Sequence, residues 1–107
     1  DFIQAAPVIV VVCVDLDVSH DRAIENGVLA AANIMLAAHA RGLGTVYMSA
    51  HRQDDPAVSA SIQCLLGLPP HIASISILPM GYPDEAPGTK AIMPLDGIVF
   101  DERHEHR

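Results

Sequence analysis

Three apolar stretches along the chain have the length and composition of β-strands, and two helical segments separate them. Residues 7–14 are almost continuously β-branched, without alternation, which is typical of a strand covered on both faces. Residues 45–50 predict a second, shorter strand, and residues 73–81 predict a third. The order strand, helix, strand, helix, strand predicts an α/β fold in which a central sheet is flanked by helices.

Residues 22–41 predict a long helix rich in Ala, Leu, Ile and Met. Its candidate caps are Ser19 or Asp21 at the start and Gly42 after the end. Asn33 and His39 are the only polar side chains between residues 27 and 40. A helix that is apolar nearly all round must be buried nearly all round, which a 107-residue domain can hardly achieve. We therefore expect this helix at the centre of a larger body or at a subunit interface.

The second helix is predicted to follow Asp54, Asp55 and Pro56, with an acid near the cap and proline in the first turn, and to end at Gly67. Helical spacing assigns its inner face to Val58, Ile62, Leu65 and Leu66. In the third strand, alternation places Ala73, Ile75 and Ile77 on one face and Ser74 and Ser76 on the other. Residues 95–100 predict a last short extended or helical piece, followed by a charged tail, residues 101–107, that frays.

Composition narrows the class of protein. The formal charge of −7 argues against nucleic acid and anionic membrane surfaces as partners. The apolar run at residues 7–14 is too short to span a bilayer, which takes about 20 residues. Cys13 and Cys64 lie in apolar runs, which predicts two buried thiols in a reducing, cytoplasmic compartment. Because the chain begins at Asp1 without an initiator Met, we expect residues 1–107 to be one partial domain.

The sequence supports no catalytic side chain and no metal ligand. His39 lies in the apolar helix, while His104 and His106 share the charged tail with no cysteine nearby. Asp15 and Asp17 follow a predicted strand and are interpreted as turn residues rather than as an acid/base pair. Local sequence indicates no Ser-His-Asp or Cys-His arrangement.

Four segments in order carry a resemblance to a known family. Residues 31–45, an Ala-rich helix running into Gly42-Leu43-Gly44-Thr45, resemble the signature of the nitroreductase family. Residues 64–69 and residues 80–85 resemble two later segments of the family. Lys90, followed by Pro94 and Leu95, resembles the family's closing segment. The resemblance runs from about residue 5 to residue 102 and covers the C-terminal half of the family's usual length.

The resemblance implies both architecture and activity. Members of the nitroreductase family are α+β homodimers that hold two FMN molecules at the subunit interface, with the long helix at the dimer core. They pass hydride from NAD(P)H to flavin, and then to nitroaromatics, quinones or other small-molecule electron acceptors. The family therefore implies an FMN-dependent oxidoreductase in which the cofactor, rather than a catalytic side chain, performs the chemistry.

The family also implies which residues contact the cofactor. Its strand after the Gly-Leu-Gly turn lies against the isoalloxazine ring, with a backbone N–H directed at flavin N5. In this sequence the strand comprises Tyr47, Met48, Ser49 and Ala50, with the donor assigned to Ser49 or Ala50. Gly44 would allow close approach to the ring. Lys90 matches the family lysine near the FMN phosphate.

Two alternatives to a flavin oxidoreductase stay open, and two departures from the family pattern favour the first of them. Ile92 stands where the family usually has an arginine, so the bidentate contact of a guanidinium with phosphate is missing. The family's N-terminal phosphate-binding cluster also lies outside this sequence. The first alternative is a truncated or degenerate homologue that dimerises through the long helix without binding flavin. The second is an unrelated α/β ligand-binding domain.

Overall fold

One antiparallel sheet and one long helix organise the chain, in a computed structural model that describes residues 2–52 and 54–104. The strands are β1 (Val8–Asp15), β2 (Gly44–Thr45), β3 (Met48–Ser49) and β4 (Ile72–Gly81). The helices are α1 (Phe2–Ala5), α2 (Leu16–Ser19), α3 (Ala23–Ala40) and α4 (Ala57–Leu66), with 3₁₀ turns at His20–Arg22 and Leu95–Gly97. The predicted α/β class and the order of its main elements are confirmed. The predicted fraying of the tail extends to residues 105–107, which lie outside the described residues.

β4 is the central strand of the sheet. It pairs antiparallel with β1 along one side, and with β2 and β3 along the other. α3 packs against both β1 and β4, whereas α4 packs against β4. Every sheet contact in the described part of the chain therefore passes through β4, and the placement of the other elements depends on it.

A β-bulge between β1 and β4 changes which residues share a face. The neighbours Val12 and Cys13 pair with Ser76 and Ser74, so β4 carries one extra residue between these two serines. Alternation changes face across such an insertion. The sequence predicted that Ile75 and Ile77 share one face of the strand and that Ser74 and Ser76 share the other. Both predictions are wrong, because the extra residue places the two members of each pair on opposite faces.

Small residues form the face of α3 that contacts the sheet. Gly27, Ala31 and Ala38 are buried there, and Ala31 belongs to a core cluster with Leu78. A Cβ atom on Gly27 would lie 2.5 Å from Cγ1 of Ile75, closer than any real contact. Helix and strand therefore approach each other at a distance that only glycine permits at this position.

The opposite face of α3 is apolar but uncovered within the single chain. Leu29 is 66% exposed and Leu36 is 69% exposed. They lie two helical turns apart and so share one face. The accessible surface of the chain is 8196 Å², against about 5,800 Å² for a compact protein of this mass. Part of the excess belongs to the exposed residues 82–99, and part to this helix face. Burial of α3 on all sides, and its place at a dimer interface, stay predictions.

The start of α3 differs from the prediction. Neither Ser19 nor Asp21 caps it, and Arg22 at the cap position makes no side-chain capping bond. Residues 16–22 form α2 and a 3₁₀ turn instead of an open loop, so the capping acid lies further upstream. Asp15 Oδ1 accepts a hydrogen bond from the Asp17 N–H at 2.9 Å. Asp15 is therefore the cap of α2 and Asp17 lies within that helix, where the sequence had predicted a turn.

Pro79 explains why the strand predicted at residues 45–50 is split in two. β2 and β3 pair with β4 in one continuous register, which places Val46 opposite Pro79. The Ala50 N–H donates to the Ile75 carbonyl at 2.9 Å, and the two-residue repeat of the ladder makes Val46 and Pro79 another bonding pair. Proline has no N–H to donate, so pairing lapses at this point.

The second predicted helix is confirmed, but its inner face is only half correct. The predicted inner residues were Val58, Ile62, Leu65 and Leu66. The first two are half-buried, whereas Leu65 is 83% exposed and Leu66 is exposed as well. The amide of Gln63 donates to the Ile72 carbonyl at 2.9 Å, so the last turn of α4 presents Gln63 to β4 instead. Gly67, with φ of 65°, ends the helix as predicted.

We expect Gly27→Ala to destabilise the fold, because its new Cβ would overlap Ile75 Cγ1 and Cβ. The free energy of unfolding should fall by about 1–3 kcal/mol, as for other overpacked cores. Urea denaturation measures this fall. Gly88→Ala is the control, because no atom lies within 4 Å of its added Cβ. Equal stabilities of the wild-type and Gly27→Ala proteins would contradict the close approach of α3 to β4.

Candidate functional site

The outer edge of β3 offers a main-chain hydrogen-bond donor. β3 pairs with β4 on one side, and no other described strand pairs with it. The Ala50 N–H points to β4 and donates to the Ile75 carbonyl. Because N–H groups alternate in direction along an antiparallel strand, the Ser49 N–H points away from β4. Ser49 therefore presents its N–H and C=O at an open edge of the sheet.

The side chains around this donor are tied to the backbone. Ser49 Oγ donates to the His51 carbonyl at 2.8 Å. Ser74 Oγ donates to the Ala50 carbonyl at 3.4 Å, and Ala50 itself is fully buried. With its hydroxyl engaged locally, Ser49 has its main-chain groups left for a ligand.

The six residues predicted to contact a cofactor occupy three places. Tyr47, Met48, Ser49 and Ala50 are contiguous in and around β3, and Ser49 and Tyr47 are the exposed members. Gly44 lies in β2, on the same edge of β4. Lys90 lies in the exposed segment that follows β4. The sheet therefore brings together five of the six, and their role in binding stays a prediction.

An open cleft of about 660 Å³ lies beside β2 and the end of β4. Its lining comprises residues 5–7, 44–46 and 79–85, and Gly44 is the predicted site residue among them. Asp84 and Glu85 line it as well, and no basic residue does. Because the charged lining is purely acidic, it does not suit a phosphate group. Sequence reasoning missed this cleft, which the end of β4 and the following Tyr82 and Pro83 help to line.

Three buried polar atoms near the site have no hydrogen-bond partner among the described residues. They are Thr45 Oγ1, His51 Nδ1 and Ser76 Oγ. In folded proteins, buried polar atoms nearly always have a hydrogen-bond partner. Thr45 lines the cleft, and Ser76 lies opposite Ser49 in the β3–β4 register. These atoms could not be identified from local sequence, because their isolation results from tertiary contacts.

Hydrogen bonding and burial shift the pKa values of charged and nucleophilic groups in this part of the chain. Arg52 donates to the carboxylate of Asp54 at 2.8 Å and so lowers the pKa of that exposed acid. Burial raises the pKa of the Cys13 thiol, which keeps it protonated at neutral pH. The prediction of two buried thiols is wrong, because Cys13 is only partly buried and Cys64 is exposed. The described residues contain no group of three or more His, Cys, Asp or Glu placed to hold a metal ion. Among them there is also no helix long and apolar enough to cross a membrane.

Comparison with known proteins agrees with this arrangement. The model of the nitroreductase family matches residues 1–82. A protein of Methanothermobacter thermautotrophicus, provisionally named an NADH dehydrogenase/NAD(P)H nitroreductase, is 34% identical over 102 residues, covering 94% of this chain and 52% of the relative. The NADPH-flavin oxidoreductase of Vibrio harveyi is 32% identical over 83 residues, covering 78% of this chain and 32% of the relative.

A solved structure shows the same fold. The FMN-dependent nitroreductase of Clostridium difficile R20291 superimposes with a TM-score of 0.74 at 29% identity, covering 92% of this chain and 58% of that chain. The present chain thus spans about half, or less, of the length of the curated relatives it matches. With the family model matching most of its length, the chain belongs to the nitroreductase family.

Proposed function

We propose that this chain carries the flavin-facing half of an FMN-dependent NAD(P)H oxidoreductase of nitroreductase type. The observation that carries the proposal is the Ser49 N–H, which points outward from the edge of β3. The names of the relatives support it, since they include an NADPH-flavin oxidoreductase and an FMN-dependent nitroreductase. NAD(P)H is the proposed electron donor, and a nitroaromatic, quinone or similar small molecule is the proposed acceptor.

The residues present fit a flavin through their backbone. When bound, FMN supplies a hydride acceptor at N5. Ser49 would orient the ring through its N–H, while Tyr47 and Met48 would flank it and the buried Ala50 would hold the strand in place. Lys90 would contribute positive charge toward the phosphate. No side chain of this group is assigned as an acid or a base.

The proposed quaternary structure is a homodimer formed through α3. Its uncovered face carries Leu29 and Leu36, and a second copy would bury both. The two free cysteines support the proposal of a cytoplasmic location.

A second candidate function is a dimerisation module that binds no flavin. Ile92 favours it, because an apolar side chain, 79% exposed, stands where the family usually has a phosphate-binding arginine. Addition of FMN to the purified chain, followed by gel filtration and absorbance spectroscopy, separates the two. A flavin band that travels with a dimer supports the oxidoreductase. A flavin-free dimer at excess FMN supports the module.

Ser49→Pro tests the main-chain donor directly, because proline removes the N–H and leaves the carbonyl. We expect FMN binding to weaken about tenfold, the equivalent of one hydrogen bond. Ser49→Ala is the matched control: it also loses the hydroxyl bond to His51 but keeps the N–H. Flavin fluorescence titration measures both affinities, and circular dichroism checks folding. Equal affinities for a folded Ser49→Pro and for Ser49→Ala would rule out Ser49 as the donor.

Ile92→Arg restores the side chain that the family uses for phosphate. We expect it to tighten FMN binding about tenfold, because a guanidinium can form two charge-assisted bonds to one phosphate. Met93→Arg, at a neighbouring exposed residue, carries the same charge and is expected to gain less. Riboflavin lacks the phosphate and should bind all three proteins equally. A gain with riboflavin as large as that with FMN would contradict the phosphate contact.

Leu29→Glu is expected to convert the dimer to a monomer, since it would bury a carboxylate in an apolar interface. Light scattering after gel filtration measures the mass. Leu95→Glu is the control, because it places the same charge on an exposed leucine outside α3. A monomeric wild-type chain, or a Leu29→Glu chain that remains dimeric, would contradict the interface.

A further inference from the structure

Both main-chain groups of Ala50, the N–H and the carbonyl, form hydrogen bonds to β4. Its N–H donates to the Ile75 carbonyl at 2.9 Å, and its carbonyl accepts from Ser74 Oγ at 3.4 Å. The second bond joins residues 24 positions apart in the sequence, and Ser74 is fully buried. A buried hydroxyl that holds a main-chain carbonyl resists displacement by water, because solvent has no access to it.

Ser76 provides an internal comparison for Ser74. Both serines lie in β4 and both are fully buried. Ser76 Oγ has no partner among the described residues, whereas Ser74 Oγ bonds to Ala50. The bulge at Val12/Cys13 separates the two serines onto different faces of the sheet. Removal of either hydroxyl therefore makes the same chemical change, but only the removal of the Ser74 hydroxyl breaks a hydrogen bond to Ala50.

We infer that Ser74 is a positioning residue that fixes the backbone carrying the Ser49 N–H. The inference rests on the proposed function, in which that N–H contacts the flavin. Ser49 Oγ donates to the His51 carbonyl at 2.8 Å, which ties together the residues on either side of Ala50. Ser74 and Ile75 then bind Ala50 to β4 through one hydrogen bond each. The three-residue unit is held to β4 at its middle residue, which limits the motion of the segment that carries the outward N–H of Ser49.

Direction matters because a hydrogen bond weakens steeply once its angle departs from linear. Two side-chain bonds hold the peptide plane between Ala50 and His51: Ser74 Oγ donates to its carbonyl, and its N–H donates to Ser49 Oγ at 3.4 Å. Without the Ser74 hydroxyl only the local bond to Ser49 is left, and nothing but the Ala50 N–H then ties this segment to β4, so the plane gains freedom to rotate. That rotation strains the neighbouring bond between the Ala50 N–H and Ile75, which then opens more often. The direction of the Ser49 N–H becomes less constant, and a ligand must fix it at an entropic cost.

Amide hydrogen exchange of the full chain, followed by NMR without any flavin, tests the anchor itself. We expect exchange at the Ala50 N–H to rise about tenfold in Ser74→Ala, the equivalent of one ordinary hydrogen bond. Ser76→Ala should leave it unchanged. Ser74→Cys keeps the volume but is a weak donor, so it should match Ser74→Ala and serves if that variant unfolds. Equal exchange in the Ser74 and Ser76 variants overturns the inference.

Titration with FMN tests the link to the cofactor. On FMN binding, the Ser49 amide proton should shift downfield in the wild type and in Ser76→Ala, and shift less in Ser74→Ala with affinity about tenfold weaker. An unaltered Ser49 shift and affinity in Ser74→Ala overturns the positioning role. If the wild type takes up no FMN while Ala50 exchange still rises in Ser74→Ala, the anchor stands and the proposed function fails.

Discussion

Hydrogen bonding along both edges of β4 is the constraint on which the other elements depend. β1 occupies one edge, and β2 and β3 share the other. A residue of an antiparallel strand directs its N–H to one neighbour, so each position in β4 serves one side only. Pro79 falls on the side of β2 and β3, where its missing N–H divides one strand into two. The donor at Ser49 exists because β3 is short and has no neighbour beyond it among the described strands.

The packing of α3 transmits the same constraint to the helix layer. Gly27 sits directly over Ile75, the residue whose carbonyl receives the Ala50 N–H. One position of β4 therefore contacts the helix through its side chain and the candidate site through its main chain. Ile75 thus couples the position of α3 to the position of the strand that carries the candidate site. The small residues on α3 therefore affect the site, although α3 does not line it.

Local pattern was sufficient for the class of fold and the main elements. The β-branched run, the Ala-rich helix and the third strand are all present, because each is determined by residues close together in the chain. The errors arose where a distant residue intervenes. Pro79 splits the second strand, Gln63 takes the place expected for Leu65, and the bulge turns Ser76 to the face opposite the predicted one. The alternation of residues along one strand does not encode where a bulge interrupts its pairing with the next strand.

The position of the candidate site stays a prediction, and its detail depends on the sheet. The family resemblance points to residues 47–50, yet it could not choose between Ser49 and Ala50 as the donor. Pairing makes that choice, because the Ala50 N–H is used within the sheet. The orphaned atoms of Thr45 and His51 were beyond sequence reasoning, since a missing partner is a property of the surroundings rather than of the residue.

The free edge of β1 has a consequence for handling the isolated chain. Its eight residues are mostly β-branched, contain no lysine and no proline, and are unpaired on the side away from β4 among the described strands. Such an edge is a template on which further strands can add, including those of other copies. Solubility of this polypeptide on its own therefore depends on what covers β1, and an uncovered chain at high concentration is inclined to aggregate through sheet extension.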